Sequence, residues 1–260
     1  MEYQFLTMKQ TGRVLTITLN RPPTNPLNRE FGRELFNAFS EAGRMEEVTV
    51  VVIASALEKA FIAGADIKEM ASMDLPSSEA FSKLLQDANN ILSRMKKVVI
   101  AAINGHALGG GCELAMACDY RFMAAGKALI GLPEATLGIL PGAGGTQRLP
   151  RLVGLSKAMD ILLCGKAMGP EEALEIGLVD RVIEAGNFMD EVMEFANKLA
   201  SGAGKAMGYI KAAVREGIDL PMEQALAVER NYGLENLKTH DAKEGLNAFA
   251  EKRKPSFQSR

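Results

Sequence analysis

Two stretches of this chain leave little freedom in how it folds. "VTVVVIAS" (48–55) and "VVIAAING" (98–105) are apolar at nearly every position. A strand with one wet face alternates apolar and polar residues, whereas a continuous apolar run needs both faces covered, as in a parallel sheet flanked by helices. The segment between them, "SSEAFSKLLQDANNILSRMKK", carries Phe81, Leu84, Leu85, Ala88, Ile91, Leu92 and Met95 at a 3.6-residue period. Strand, helix and strand in that order predict an α/β domain with much parallel pairing.

The rest of the chain extends this pattern. The opening residues alternate like a strand, and "RVLTITLNRPP" reads as another, ended by Pro22-Pro23. Asn28 is placed to cap a helix that buries Phe31, Leu35, Ala38, Phe39 and Ala42. "CELAMACD" reads as helix, and "YRFMAAGKALIGLPE" as two short strands. From about Gly154 helices dominate. Pro170 opens one and Gly177 closes it, "MDEVMEFANKLAS" is amphipathic, and "PMEQALAVERNYGLENL" starts on its proline. "DAKEGLNAFAEKRK" shows Asp241 and Glu244 in capping-box spacing. The basic tail "EKRKPSFQSR" reads as a solvated end, although it would also suit an anionic ligand.

Charge and cysteine usage exclude several classes of function. Thirty basic against thirty-two acidic side chains leave a net charge of -2, so nothing draws the chain generally to nucleic acid or anionic membrane. No apolar segment approaches the roughly 20 residues of a membrane span, and no signal-peptide order opens the chain. Cys112, Cys118 and Cys164 have no metal-ligand spacing, and their odd number argues against a disulfide framework. A cytoplasmic, reducing compartment is the expectation. His106 and His240 are the only histidines, too few for a His-rich metal site.

Chemistry concentrates in three places. Gly109, Gly110 and Gly111 stand at the end of a strand and open a helix, where bare backbone N–H groups meet a ligand or where strand and helix pack tightly. "AFIAGADIKEM" offers the small residues Ala63, Gly64 and Ala65 before Asp66, which reads as a helix cap. Glu113 and Glu134 both have apolar company, costly for a carboxylate unless it is partnered or neutral. If they face one site, their titrations split, leaving one protonated and one ionised near neutral pH. Such a pair is equipped to move protons on and off a water. Spacing alone leaves surface or helix-start roles equally open for both. "PGAGGTQR" lacks the Lys-Ser/Thr of a phosphate loop and reads as a turn feeding a helix, and His106 suits a lining or packing role.

The order of "GADIKE", "ALGGGCEL" and "PGAGGTQRL" closely resembles the crotonase, or enoyl-CoA hydratase/isomerase, superfamily, and the likeness runs nearly end to end. The resemblance implies an α/β fold built as a crotonase-like spiral of ββα units with a C-terminal helical region. It implies a core over 1–195, a helical region over 196–260 that contacts coenzyme A and mediates self-association, and trimers paired into hexamers. By position, Ala65 and Gly110 match the two oxyanion-hole amides, while Glu113 and Glu134 match the catalytic glutamates. Ala63, Gly64, Ala65, Asp66 and Ile67 match the loop at the adenine end of coenzyme A. Phe249 and Lys252 match an apolar contact and a phosphate-binding lysine. The implied activity is reversible hydration of a trans-2-enoyl-CoA in acyl-CoA degradation such as β-oxidation, with coenzyme A as part of the substrate and neither metal nor redox cofactor. Enzymes that only shift a double bond commonly keep one carboxylate, so two favour hydration. Enoyl-CoA isomerase or another crotonase-type reaction is the alternative within the family, and an RNA- or partner-binding protein on the same scaffold is the alternative outside it. Three departures from the family pattern stand out: one extra residue between Cys118 and Glu134, expected to alter the turn at 123–126, Pro26 in place of a common alanine, and Leu132 where some hydratases carry glutamine.

Overall fold

A computed structural model describes residues 2–260. The first half contains β1 (Leu6–Thr11), β2 (Val14–Leu19), α1 (Arg29–Arg44), β3 (Val50–Ser55), β4 (Ala60–Ala63), α2 (Ile67–Ala71) and α3 (Leu75–Arg94). The middle adds β5 (Val98–Ile103), β6 (His106–Leu108), α4 (Gly110–Ala117), β7 (Tyr120–Ala124), β8 (Ile130–Gly131), α5 (Gly145–Val153), α6 (Leu155–Cys164) and β9 (Ala167–Met168). The remainder is α7 (Pro170–Glu175), β10 (Arg181–Ile183), α8 (Phe188–Ala200), α9 (Gly204–Gly217), α10 (Met222–Leu237) and α11 (His240–Ala250).

The strands divide into two sheets, ordered β1-β2-β3-β5-β7-β10 and β4-β6-β8-β9. In each pair β3/β4, β5/β6 and β7/β8 the first strand joins the larger sheet and the second the smaller, and helical structure follows. Repetition of that step is the ββα spiral expected of the crotonase fold. Pairing is parallel throughout except between β1 and β2 and between β8 and β9.

The apolar runs have a direct structural cause. Val51, Ile53, Val99, Ala101 and Ile103 point into one core with α1, α3 and α4. Val50, Val52, Val98, Ile100 and Ala102 point into a second, closed by Phe188, Val192, Ala196 and Ala200 of α8. Successive strand residues face opposite sides, so a strand buried on both has no polar position left. The boundary expected at 195/196 falls inside α8, between members of this apolar stripe.

Two local expectations are corrected. The N-cap of α11 is Thr239, whose Oγ1 accepts the Ala242 amide at 3.1 Å, so Asp241 and Glu244 do not form a capping box. Asp241 is buried and accepts the amides of Gln258 and Ser259, both at 2.7 Å, while Glu244 pairs with Arg253 at 2.7 Å and accepts the Ser256 amide. The tail folds back on α11 while its basic side chains stay exposed to solvent, and Arg13 on the β1–β2 turn holds its Phe257 carbonyl and Ser259 hydroxyl. The turn between β7 and β8 occupies 125–129, because Met123 and Ala124 still belong to β7.

The segment between β2 and α1 is fixed by one side chain. Asn25 is fully buried at φ 52°, a left-handed conformation that asparagine tolerates better than most residues. Its Oδ1 accepts the Arg21 amide at 2.6 Å, and its Nδ2 donates to Ser55 Oγ and the Phe61 carbonyl, both at 2.8 Å. Asn25→Ala strands these buried partners and adds backbone strain. We expect a loss on the order of 3 kcal/mol, read as a lower urea midpoint.

Candidate active site

In the smaller sheet Ala63 pairs with Leu108 and Leu108 with Gly131, all in parallel strands. The segments that follow β4, β6 and β8 therefore emerge side by side at one sheet end, where α/β sheets place ligands. These segments carry Ala65, Gly110 and Glu134. A Cβ built on Gly109 would lie 3.7 Å from Gly64 Cα and 2.9 Å from Glu134 Oε1, so the three segments meet at that glycine.

Two amides in this cluster are left over. The Leu27 amide donates to the Gly64 carbonyl at 2.9 Å and the Asp66 amide to the Leu27 carbonyl at 2.7 Å, passing over the Ala65 N–H between them. Gly110 begins α4, where N–H groups lack helical acceptors. Neither amide finds an acceptor among the described residues, and both residues are partly exposed.

The three glycines serve separate needs. Gly109 adopts φ 54°, ψ -121°, which a residue with a Cβ resists. A Cβ on Gly111 would lie 2.2 Å from the Ile62 carbonyl oxygen, so α4 packs directly on the backbone of β4. A Cβ on Gly110 would clash only with the end of the Leu27 side chain, at 2.5 Å. Tight packing is the business of Gly111, and the available amide belongs to Gly110.

Glu113, in the first turn of α4, is 2% exposed. Its Oε1 accepts the amides of Ala143 at 2.8 Å and Gly145 at 2.7 Å. Burial pushes its carboxyl up to about 7; the two amides pull it down, and the neighbouring Glu134 pushes it up. Oε2 finds no donor among the described residues and lies near Gly110, whose Cβ, if present, would be 4.0 Å away. Glu134, on the turn after β8, is 8% exposed; burial raises its carboxyl as well, and its buried Oε2 has no hydrogen-bond partner among the described residues. Two carboxyls thus converge, each with an uncommitted oxygen, beside two uncommitted amides.

The turn that holds Glu113 was not legible from its own sequence. Ser82 Oγ and Gln86 Nε2 donate to the Gly142 carbonyl at 2.6 and 2.8 Å, and Asn89 Nδ2 to the Ala143 carbonyl at 3.1 Å. Ser82, Gln86, Asn89 and Ser93 recur at three- and four-residue spacing along α3, and Asn89 and Ser93 are buried. A polar stripe of that period beside an apolar one was the available signal.

The remaining positions divide. Ala63 to Ile67 form the connection from β4 into α2, and Asp66 caps α2 and pairs with Arg21 at 3.1 Å. Pro26 belongs to the same knot, since its carbonyl accepts Arg21 Nη1 at 2.6 Å. Ile67 is exposed. Phe249, 87% exposed, and Lys252, at φ 56°, lie at the end of α11, which packs on α9 and α10. No hydrogen bond or ion pair joins them to 63–67 among the described residues. His106 lies in β6 and accepts the Leu129 amide at 3.1 Å, a packing role. Leu132 is fully buried, and its Cδ1 would lie 3.0 Å from a Cβ on Gly145, beside Glu113.

Residues 9–260 match the family model described as enoyl-CoA hydratase/isomerase. The chain belongs to that family. Among its members, a short-chain-enoyl-CoA hydratase from Clostridium acetobutylicum is 41% identical over 255 residues, covering 98% of this chain and 97% of the relative. A crotonyl-CoA hydratase from Syntrophomonas wolfei is 39% identical, with both chains covered in full. A crystal structure of an enoyl-CoA hydratase from Geobacillus kaustophilus superposes with a TM-score of 0.97 at 38% identity, covering 100% of this chain and 98% of that one. The two-sheet spiral is thus the crotonase fold, shared along the whole chain. No helix among the described residues is long and apolar enough to cross a membrane.

Proposed function

We propose that this member of the enoyl-CoA hydratase/isomerase family hydrates trans-2-enoyl-CoA thioesters reversibly. The observation that carries the reading is the convergence of Glu113 and Glu134, each with a free carboxyl oxygen, beside the free amides of Ala65 and Gly110. The thioester oxygen accepts from both amides, which stabilise the enolate-like charge that builds as C3 is attacked. Losing one such donor typically costs about 3–4 kcal/mol. One water lies between the carboxyls. Glu113 takes a proton from it as its oxygen bonds to C3, and Glu134 gives a proton to C2, so one water is added across the double bond. A double-bond shift needs no water held between two carboxylates, so their convergence favours hydration over isomerisation.

Coenzyme A enters as the handle of the substrate, along the connection Ala63 to Ile67. Phe249 and Lys252 reach such a handle from a neighbouring copy. The exposed Ile210, Val214, Ile218, Met222, Leu234 and Leu237 of the C-terminal helices support self-association, as a trimer or hexamer. Three free cysteines suit a reducing, cytoplasmic setting.

The test is loss of the conjugated-thioester absorbance of crotonyl-CoA on adding the protein, repeated across longer and branched enoyl-CoAs. Glu134→Gln lowers turnover by roughly 10²–10⁴-fold. Failure of the wild type on every enoyl-CoA overturns the reading.

A further inference from the structure

Arg148 projects from the first turn of α5, half-buried, with no carboxylate for its guanidinium among the described residues. Nη1 donates to Ser93 Oγ at 2.7 Å and Nη2 to Asn90 Oδ1 at 2.8 Å, both on α3. An arginine removed from water ordinarily meets a carboxylate, which shares its charge. Here both acceptors are neutral, so the charge is not spent on them. The side chain also crosses Gly144 closely enough that a Cβ there would lie 3.1 Å from Nε. Gly144 is the residue between Ala143 and Gly145, whose amides hold Glu113 Oε1.

We infer that Arg148 is a positioning residue: it binds the Gly142–Gly145 turn to α3, so that two amides of that turn fix Glu113, and it places positive charge behind that carboxylate. The inference rests on the reading of Glu113 as the group that handles the water. The surrounding charges agree with it. The negative charge of Glu134, on the turn after β8, opposes ionisation of Glu113, while Arg148 favours it. Arg94 on α3 and Arg215 on α9 are like charges near Arg148, and Arg215 is itself engaged by Asp119 at 3.3 Å. Cys112 and Cys118, also close by, are thiols that burial keeps neutral. The tether extends the grip that Ser82, Gln86 and Asn89 exert on the same turn, so one face of α3 holds it along three helical turns.

The experiment uses the full chain and two readouts. Carbon-13 NMR follows the glutamate carboxyls through a pH titration, with the Glu113 signal assigned by its loss in Glu113→Gln. In Arg148→Met the Glu113 midpoint moves up by about one pH unit, a tenfold change in its ionisation constant. Asn90→Asp keeps the tether but gives the guanidinium a carboxylate, and it produces an upward shift as well. Arg148→Lys, which keeps the charge, restores at least half of the change. In the second readout kcat/KM for crotonyl-CoA falls about tenfold at pH 6 in Arg148→Met but stays within about threefold of wild type at pH 9. KM is little altered, because Arg148 does not touch substrate. A wild-type Glu113 midpoint in folded Arg148→Met overturns the inference; if that variant does not fold, the same result in Asn90→Asp does so. Should the wild type hydrate no enoyl-CoA, the proposed function falls while the NMR titration still decides the role of Arg148.

Discussion

Glu113→Gln loses hydration of crotonyl-CoA by roughly 10²–10⁴-fold and, above neutral pH, is more stable than the wild type. Both effects follow from one buried carboxyl. The glutamine oxygen still accepts the amides of Ala143 and Gly145, so the local fold survives, but no base remains for the water. The stability change follows from proton linkage. Burial raises the folded-state value to about 7 from an ordinary 4.5, so between those values the folded state binds more protons than the unfolded one. Wild-type stability therefore falls as pH rises through that window, and above about pH 7 the full penalty is present, on the order of 3 kcal/mol. Glutamine carries no such charge. The variant melts several degrees higher at pH 8, and its advantage disappears below about pH 4.5. Calorimetry of both proteins between pH 4 and 9 checks this, and parallel melting at all pH values would show that Glu113 is not an inward-facing, strained acid.

Alanine substitutions along Gly109-Gly110-Gly111 produce three different outcomes. Gly111→Ala is the most damaging, because its Cβ would meet the Ile62 carbonyl oxygen at 2.2 Å and the Ile62 Cβ at 2.8 Å. Backbone cannot swing aside as a side chain does, so α4 must separate from β4, at a cost of about 4 kcal/mol or more. That separation also pulls the Gly110 amide away from Ala65, so activity goes with stability. Gly109→Ala carries backbone strain of roughly 1–3 kcal/mol and pushes on Glu134 Oε1 at 2.9 Å. Its activity loss exceeds its stability loss. Gly110→Ala displaces only the Leu27 methyl end and leaves melting nearly unchanged. Urea unfolding and crotonyl-CoA turnover, measured together, give the order Gly111, Gly109, Gly110 for stability. Equal stability across the series would mean that α4 does not rest on β4 backbone.

The fold was legible wherever burial leaves a period in the sequence. Strands covered on both faces have no polar positions, and α1 and α3 bury the residues their 3.6-residue spacing selects, with Leu84 and Ile91 of α3 only half-buried. Spacing misled where a distant segment supplied the partner. Asp241 and Glu244 have the intervals of a helix cap, yet their carboxyls take amides and an arginine from the returning tail, and Thr239 caps instead. The polar stripe of α3 is uninformative by itself for a related reason. Serine, glutamine and asparagine on an amphipathic helix usually face water, and here they face a glycine turn more than fifty residues away.

The sequence by itself determined the alternation of strands and helices, the two sides of the sheet, and the fact that Glu113 and Glu134 have apolar neighbours. Only the tertiary structure decided that these carboxyls come to adjacent glycines, Glu134 to Gly109 and Glu113 to Gly110, and that the donors fixing Glu113 are the amides of Ala143 and Gly145. The reason is chemical. An apolar side chain declares its preference in the residue name, but every residue other than proline carries the same backbone N–H, and nothing in its letter tells which one the folded chain will leave free or aim at a buried oxygen.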